Sequence, residues 1–72
     1  MDIQLKEMKL IFKVKGACLT RTITDMQGVT IWESITPEAT EVDKSEEGLL
    51  AYEEQMKSLP FWNIVAVEKV FI

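Results

Sequence analysis

Midway along this chain the spacing of apolar residues changes from every second position to every third or fourth, and that change dictates the fold class. In residues 7–15, Met8, Leu10, Phe12 and Val14 alternate with Lys9, Ile11, Lys13 and Lys15. A period of two places the first set on one face of a strand and the lysines on the other. Gly16-Ala17 breaks the pattern, and Thr20-Arg21-Thr22-Ile23-Thr24 reads as the returning strand of a hairpin. Asp25-Met26-Gln27-Gly28 is a turn in which Gly28 can take positive φ. A third strand is expected over residues 29–36. Its alternation groups Val29, Ile31 and Ile35, interrupted by Glu33, against Thr30, Trp32, Ser34 and Thr36.

Pro37 cannot donate to a ladder and ends that strand. After a polar connection with room for one helical turn, Leu49, Tyr52, Met56 and Leu59 follow the i, i+3, i+7, i+10 stripe of an amphipathic helix. Asp43 or Ser45 can cap its start, and Asp43 with Glu46 has capping-box spacing. Glu46 and Glu47 favour the positive end of the helix dipole and Lys57 the negative end. Glu53 and Lys57 form an i,i+4 pair in the favourable order, and Pro60 stops the helix.

In Ile64-Val65-Ala66-Val67 both faces are apolar, which predicts a central strand covered on two sides. One helix covers one sheet face. If Val65, Val67 and Phe71 point away from it, the N-terminal segment or another molecule must shield them. Ile3 and Leu5 are out of phase with Met8–Val14, so residues 1–7 read as a bulge or a loose extension, and Met8 as an alternative start. The expectation is a single α+β domain over residues 1–72, in the order β-β-β-α-β. It consists of an antiparallel sheet with one helix packed on one face.

Chemistry is bounded by what is missing. The 72 residues contain no histidine, so no Ser/His/Asp or Cys/His pair exists in them. Cys18 is the sole cysteine, which excludes an internal disulfide and a Cys-rich zinc site and favours a packing role. Gly16, Gly28 and Gly48 match no phosphate-binding loop. Catalysis by carboxylates alone needs a cleft that shifts pKa values, and a domain this small has little wall to build one. No catalytic residue, cofactor or metal ligand is therefore assigned, and the chain is expected not to be an enzyme. Mean hydropathy of +0.05 and 28 % charged residues exclude disorder and a membrane segment. The start lacks the basic and apolar regions of a signal peptide, so a cytoplasmic location is expected.

Charge is distributed unevenly within a net −4. Residues 1–24 hold Lys6, Lys9, Lys13, Lys15 and Arg21 against Asp2 and Glu7, a balance of +3. Residues 38–54 hold Glu38, Glu41, Asp43, Glu46, Glu47, Glu53 and Glu54 against Lys44, a balance of −6. That acidic block is either a solvated helix face or a surface for a basic protein partner. It lacks the spacing of a calcium loop. The strand lysines serve as edge protection or contact phosphates, although a pI of about 4.7 argues against nucleic acid. Trp32, among Thr30, Ser34 and Thr36, is a candidate exposed interface residue, with packing against a terminal segment as the alternative.

The function expected is a non-catalytic module that regulates or inhibits a larger protein with a basic surface. Its candidate contacts are Glu38, Glu41, Asp43, Glu46, Glu47, Glu53, Glu54 and Trp32. In size, acidity and lack of catalytic groups the chain resembles phage-encoded inhibitors of host nucleases or defence complexes, and small antitoxins. The resemblance is compositional and rests on no motif. A self-assembling subunit, dimerising through the sheet face, and a nucleic-acid binder using the lysine strand are the alternatives.

Overall fold

The computed structural model describes residues 6–72. The elements are β1 (Met8–Lys15), β2 (Cys18–Asp25), β3 (Thr30–Thr36), α1 (Glu41–Lys44), α2 (Glu46–Lys57) and β4 (Ile64–Phe71). This is an α+β fold in the expected element order. The strands form one sheet in the order β3-β2-β1-β4. The irregular phase expected of Ile3 and Leu5 lies outside the described residues.

The meander follows from its turns. Lys15 pairs with Cys18 across Gly16-Ala17, with Gly16 at φ 59° and Ala17 not at positive φ, as a type II′ hairpin turn requires. At the other end Gly28 sits at φ 90°. There the Asp25 carboxylate accepts from the amides of Gln27 and Val29, both at 2.9 Å. Both bonds end on Oδ1 and hold the β2–β3 turn.

The sheet is mixed rather than wholly antiparallel, because β4 runs parallel to β1. The reason lies in the connection. β3 ends beside Leu19, at the Gly16-Ala17 end of the sheet. Residues 37–44 dock there, with the Ala39 amide donating to Ala17 O at 2.8 Å and Lys44 Nζ to Gly16 O at 3.3 Å. α2 then runs back along the sheet, so β4 starts beside Met8 and travels in the same direction as β1. A helical crossover of this kind is how parallel neighbours are joined.

β4 is also an edge strand, not a central one. The apolar run that predicted two-sided burial has another origin. A register shift falls between the pairs Met8↔Ile64 and Lys9↔Ala66, leaving Val65 as an extra residue. The shift lets Ile64 and Val67 both pack on the helix side despite their odd spacing, while Val65 is half exposed. Val67 therefore points toward the helix, and Phe71 shares that side of the sheet through its pairing with Val14 but is exposed.

The core lies between the sheet and α2. Leu10, Phe12, Leu19, Ile23 and Leu49 are fully buried, and Met56 and Ala39 nearly so. Met8, Val14, Tyr52 and Leu59 pack around them. Each full burial of such a side chain stabilises by about 1.5–3 kcal/mol. Ser45 caps α2 by accepting from the Gly48 amide at 3.1 Å. The capping box itself forms one turn earlier, between Thr40 and Asp43.

Gly48 is where α1 and α2 touch. A Cβ there would strike the Val42 carbonyl oxygen and lie 2.9 Å from its carbon and 3.0 Å from Asp43 Cα. In an open helix interior, glycine to alanine gains about 1 kcal/mol. Here the sign reverses, because neither helix backbone can retreat without breaking its cap. Gly48→Ala is expected to lose about 1–3 kcal/mol, the usual cost of overpacking. Chemical denaturation of the variant beside the parent checks both sign and size.

Candidate functional site

The covered face of the sheet carries one polar residue in a central position. Leu19, Arg21 and Ile23 share that side of β2, and Arg21 pairs with Phe12 on β1 and Ser34 on β3. Its guanidinium carbon stacks 4.5 Å from the Tyr52 ring centroid and 5.7 Å from that of Trp32. Nη2 donates to Ser34 Oγ at 3.3 Å, whereas Nε is buried with no hydrogen-bond partner. The rings supply what a missing acceptor would, since a partly desolvated cation over an aromatic face gains about 1–2 kcal/mol.

Tyr52 connects this cation to the acidic segment. Its hydroxyl donates to Asp43 Oδ1 at 3.2 Å, while the Thr40 amide donates to Asp43 Oδ2 at 3.3 Å. The Asp43 amide in turn donates to Thr40 Oγ1 at 3.0 Å. The bonds from Thr40 hold the Asp43 carboxyl below its ordinary value, with smaller help from Tyr52 and Arg21. Burial, and then the bond to Asp43, pushes the Tyr52 phenol upward. The set Thr40–Asp43–Tyr52–Arg21–Ser34 pins α1 and α2 to β2 and β3. Its acceptors are already occupied, so it is a fastening rather than a vacant binding pocket.

Trp32 belongs to this fastening and is half-buried rather than exposed. It packs on the core and lies 6.3 Å from Trp62 at a tilt of 53°. Trp62 also meets the Phe61 ring edge-on at 5.0 Å. Because Trp62 precedes β4 while Trp32 is on β3, the pair spans the two edges of the sheet and closes the end of the core. The alternation within β3 is thus inverted relative to the reading that grouped Val29, Ile31 and Ile35 as apolar. Trp32, Ser34 and Thr36 face the helix side through their pairing with Ile23, Arg21 and Leu19. Val29, Ile31 and Ile35 are exposed. A register shift between Ile23 and Thr24 leaves Ile31 as the extra residue.

The acidic candidates separate into two groups. Glu41 pairs with Lys44 at 2.9 Å, Glu53 with Lys57 at 3.2 Å, and Asp43 is committed to Thr40 and Tyr52. Glu38, Glu46, Glu47 and Glu54 are exposed and have no cation within reach among the described residues. Glu47 and Glu54, seven apart, share the outward side of α2. On the sheet face turned away from α2, which no other described element covers, Lys9 is bridged to Glu68 at 3.0 Å, which leaves Lys13 and Lys15 exposed and unpaired among the described residues. Cys18, on the same face, is half-buried.

Sequence reasoning missed Arg21 and the β3 edge. For Arg21 the signal was present, because a charged residue between Leu19 and Ile23 falls on an apolar face. For β3, Glu33 and the extra Ile31 concealed which set of residues was inward. Among the described residues no three metal-ligating side chains converge, and no helix is long and apolar enough to cross a membrane. A shallow open cleft is lined by Lys6, Glu7, Asp25, Met26 and Gln27. Compared with protein-family models, curated proteins and solved structures, the chain matches none.

Tyr52 is the only tyrosine, so its ionisation can be followed by ultraviolet absorbance. It is expected to ionise above the ordinary phenol range, and Asp43→Asn is expected to bring it down toward that range. With its folded value raised, Tyr52 contributes stability that is full at neutral pH and lost as pH rises through that value. With its folded value lowered, Asp43 contributes stability present above the ordinary carboxylate range and lost as pH falls through its folded value. Unfolding midpoints across pH should therefore decline at both ends, and Asp43→Asn should flatten the acid limb.

Proposed function

We propose that this chain is a non-catalytic protein-binding module that regulates or blocks a larger partner with a basic surface. The observation that carries the reading is the exposed apolar series Met26, Val29, Ile31 and Ile35, running along β3 and the turn before it. Apolar side chains gathered on an open sheet edge are a recognised interaction surface and otherwise an aggregation hazard. Of the unpaired carboxylates, Glu33 lies within this surface, between Ile31 and Ile35, while Glu47 and Glu54 lie across the sheet on the outward side of α2 and act through the chain's overall charge. Complementary charge steers encounter and excludes wrong partners. The uncovered face mixes signs, with the Lys9–Glu68 pair and Glu33 on the same side as Lys13 and Lys15, an arrangement better suited to protein than to a phosphate backbone. An inhibitor that occupies a basic groove fits this distribution.

Affinity capture from source and host lysates tests the reading, with the parent beside a triple variant, Glu46→Lys, Glu47→Lys and Glu54→Lys. One stoichiometric protein retained by the parent and lost by the variant is expected. Sedimentation of the purified chain provides the contrast. Concentration-dependent mass without any partner, unaffected by the reversals, would assign the chain to self-assembly instead.

A further inference from the structure

Resting on that binding-module reading, we propose that the free edge of β3 accepts an added β-strand from the partner, a segment with the alternation apolar–x–basic–x–apolar. β3 is the outer strand on its side of the sheet, so the backbone groups turned away from β2 have no strand partner. Strand addition satisfies such groups, and alternate side chains then set specificity. On the uncovered face β3 presents Ile31, Glu33 and Ile35 in sequence, the isoleucines 45 % and 57 % exposed. Registered residues of an added strand share a face, so its two apolar side chains lie beside the isoleucines and its basic side chain beside Glu33. Glu33 has no cation within reach among the described residues, and a basic residue completes it.

The same carboxylate argues against a second copy as the occupant. Antiparallel pairing of β3 with itself about a two-fold axis sets Glu33 opposite its own copy when centred there. Centred on Trp32 it meets Ile31, and centred on Ser34 it meets Ile35. Each register that pairs most of the strand thus leaves a like-charge or a charge–apolar opposition. The opposite edge is a poorer acceptor. In β4, Glu68 is already engaged by Lys9, and Lys69 is the kind of edge charge that discourages added strands.

The test is a charge swap with capped synthetic peptides, read by amide NMR shifts and hydrogen exchange on the whole chain. The first peptide is Thr-Val-Thr-Lys-Thr-Val-Thr, and the second has Glu in place of Lys. The lysine peptide is expected to shift β3 resonances and slow exchange of the β3 amides that point away from β2. The glutamate peptide should bind roughly three- to tenfold more weakly, the range set by exchanging an opposite-charge for a like-charge cross-strand pair. Glu33→Lys should reverse the preference, so that the glutamate peptide becomes the better ligand. Binding at β4 or on the uncovered face, equal affinity for both peptides, or self-association through β3 would each overturn the assignment. A chain that ignores both peptides, yet keeps its charge-selected partner in the capture experiment, also refutes strand addition at β3. That last result leaves the binding-module reading standing, so the two failures are distinguishable.

Discussion

Everything in this structure depends on one asymmetry of burial. The sheet has two faces and the chain supplies one helix long enough to cover either. Leu10, Phe12, Leu19 and Ile23 meet Leu49 and Met56 on the covered side, and this contact determines which way every other side chain of the sheet must point. It explains why Trp32 turns inward although its neighbours are polar. The largest side chain of β3 gains more from the core, and from Trp62, than from solvent. It also explains why Arg21 is tolerated where it is. Its position in the pleat commits it to the covered side, and the fold answers with two aromatic rings and a serine hydroxyl in place of an anion.

The parts of the fold that were legible in the sequence are those in which local pattern and tertiary demand agree. Met8 to Val14 alternate without interruption, and Leu49, Tyr52, Met56 and Leu59 hold the helical stripe, so both elements and their inward faces could be read directly. Gly28 and Pro37 marked their boundaries for reasons of φ and of the missing amide. The parts that were not legible share a cause. Val65 and Ile31 are extra residues at register shifts, and one extra residue inverts the face of everything beyond it. Alternation cannot reveal such an insertion, because the pairing partner that defines it lies elsewhere in the chain. The edge position of β4 and its parallel direction were hidden for the same reason. They depend on which end of the sheet receives residues 37–44.

The candidate site was legible by charge and not by shape. The surplus of carboxylates in residues 38–54 is real, yet Glu41, Asp43 and Glu53 are committed to local partners. What remains is a looser set, strengthened by Glu33, which lies outside that block. The apolar half of the surface was not recognised as surface, because Val29, Ile31 and Ile35 resemble core residues in every respect but their register. Residues that look like core can stand at an open sheet edge when their register turns them outward.

The pairing of Met8 with Ile64 has a consequence for the order of assembly. β1, β2 and β3 are joined by tight turns and can associate with little loss of chain entropy. The parallel ladder between β1 and β4 instead closes a loop that contains the whole meander and the helix, the slowest kind of contact to form. Until it closes, the side of β1 turned away from β2 is open. One of the two inner strands of the finished sheet is therefore an edge strand of the half-built one. Its lysines, Lys9, Lys13 and Lys15, are well placed to keep that transient edge from pairing with another chain.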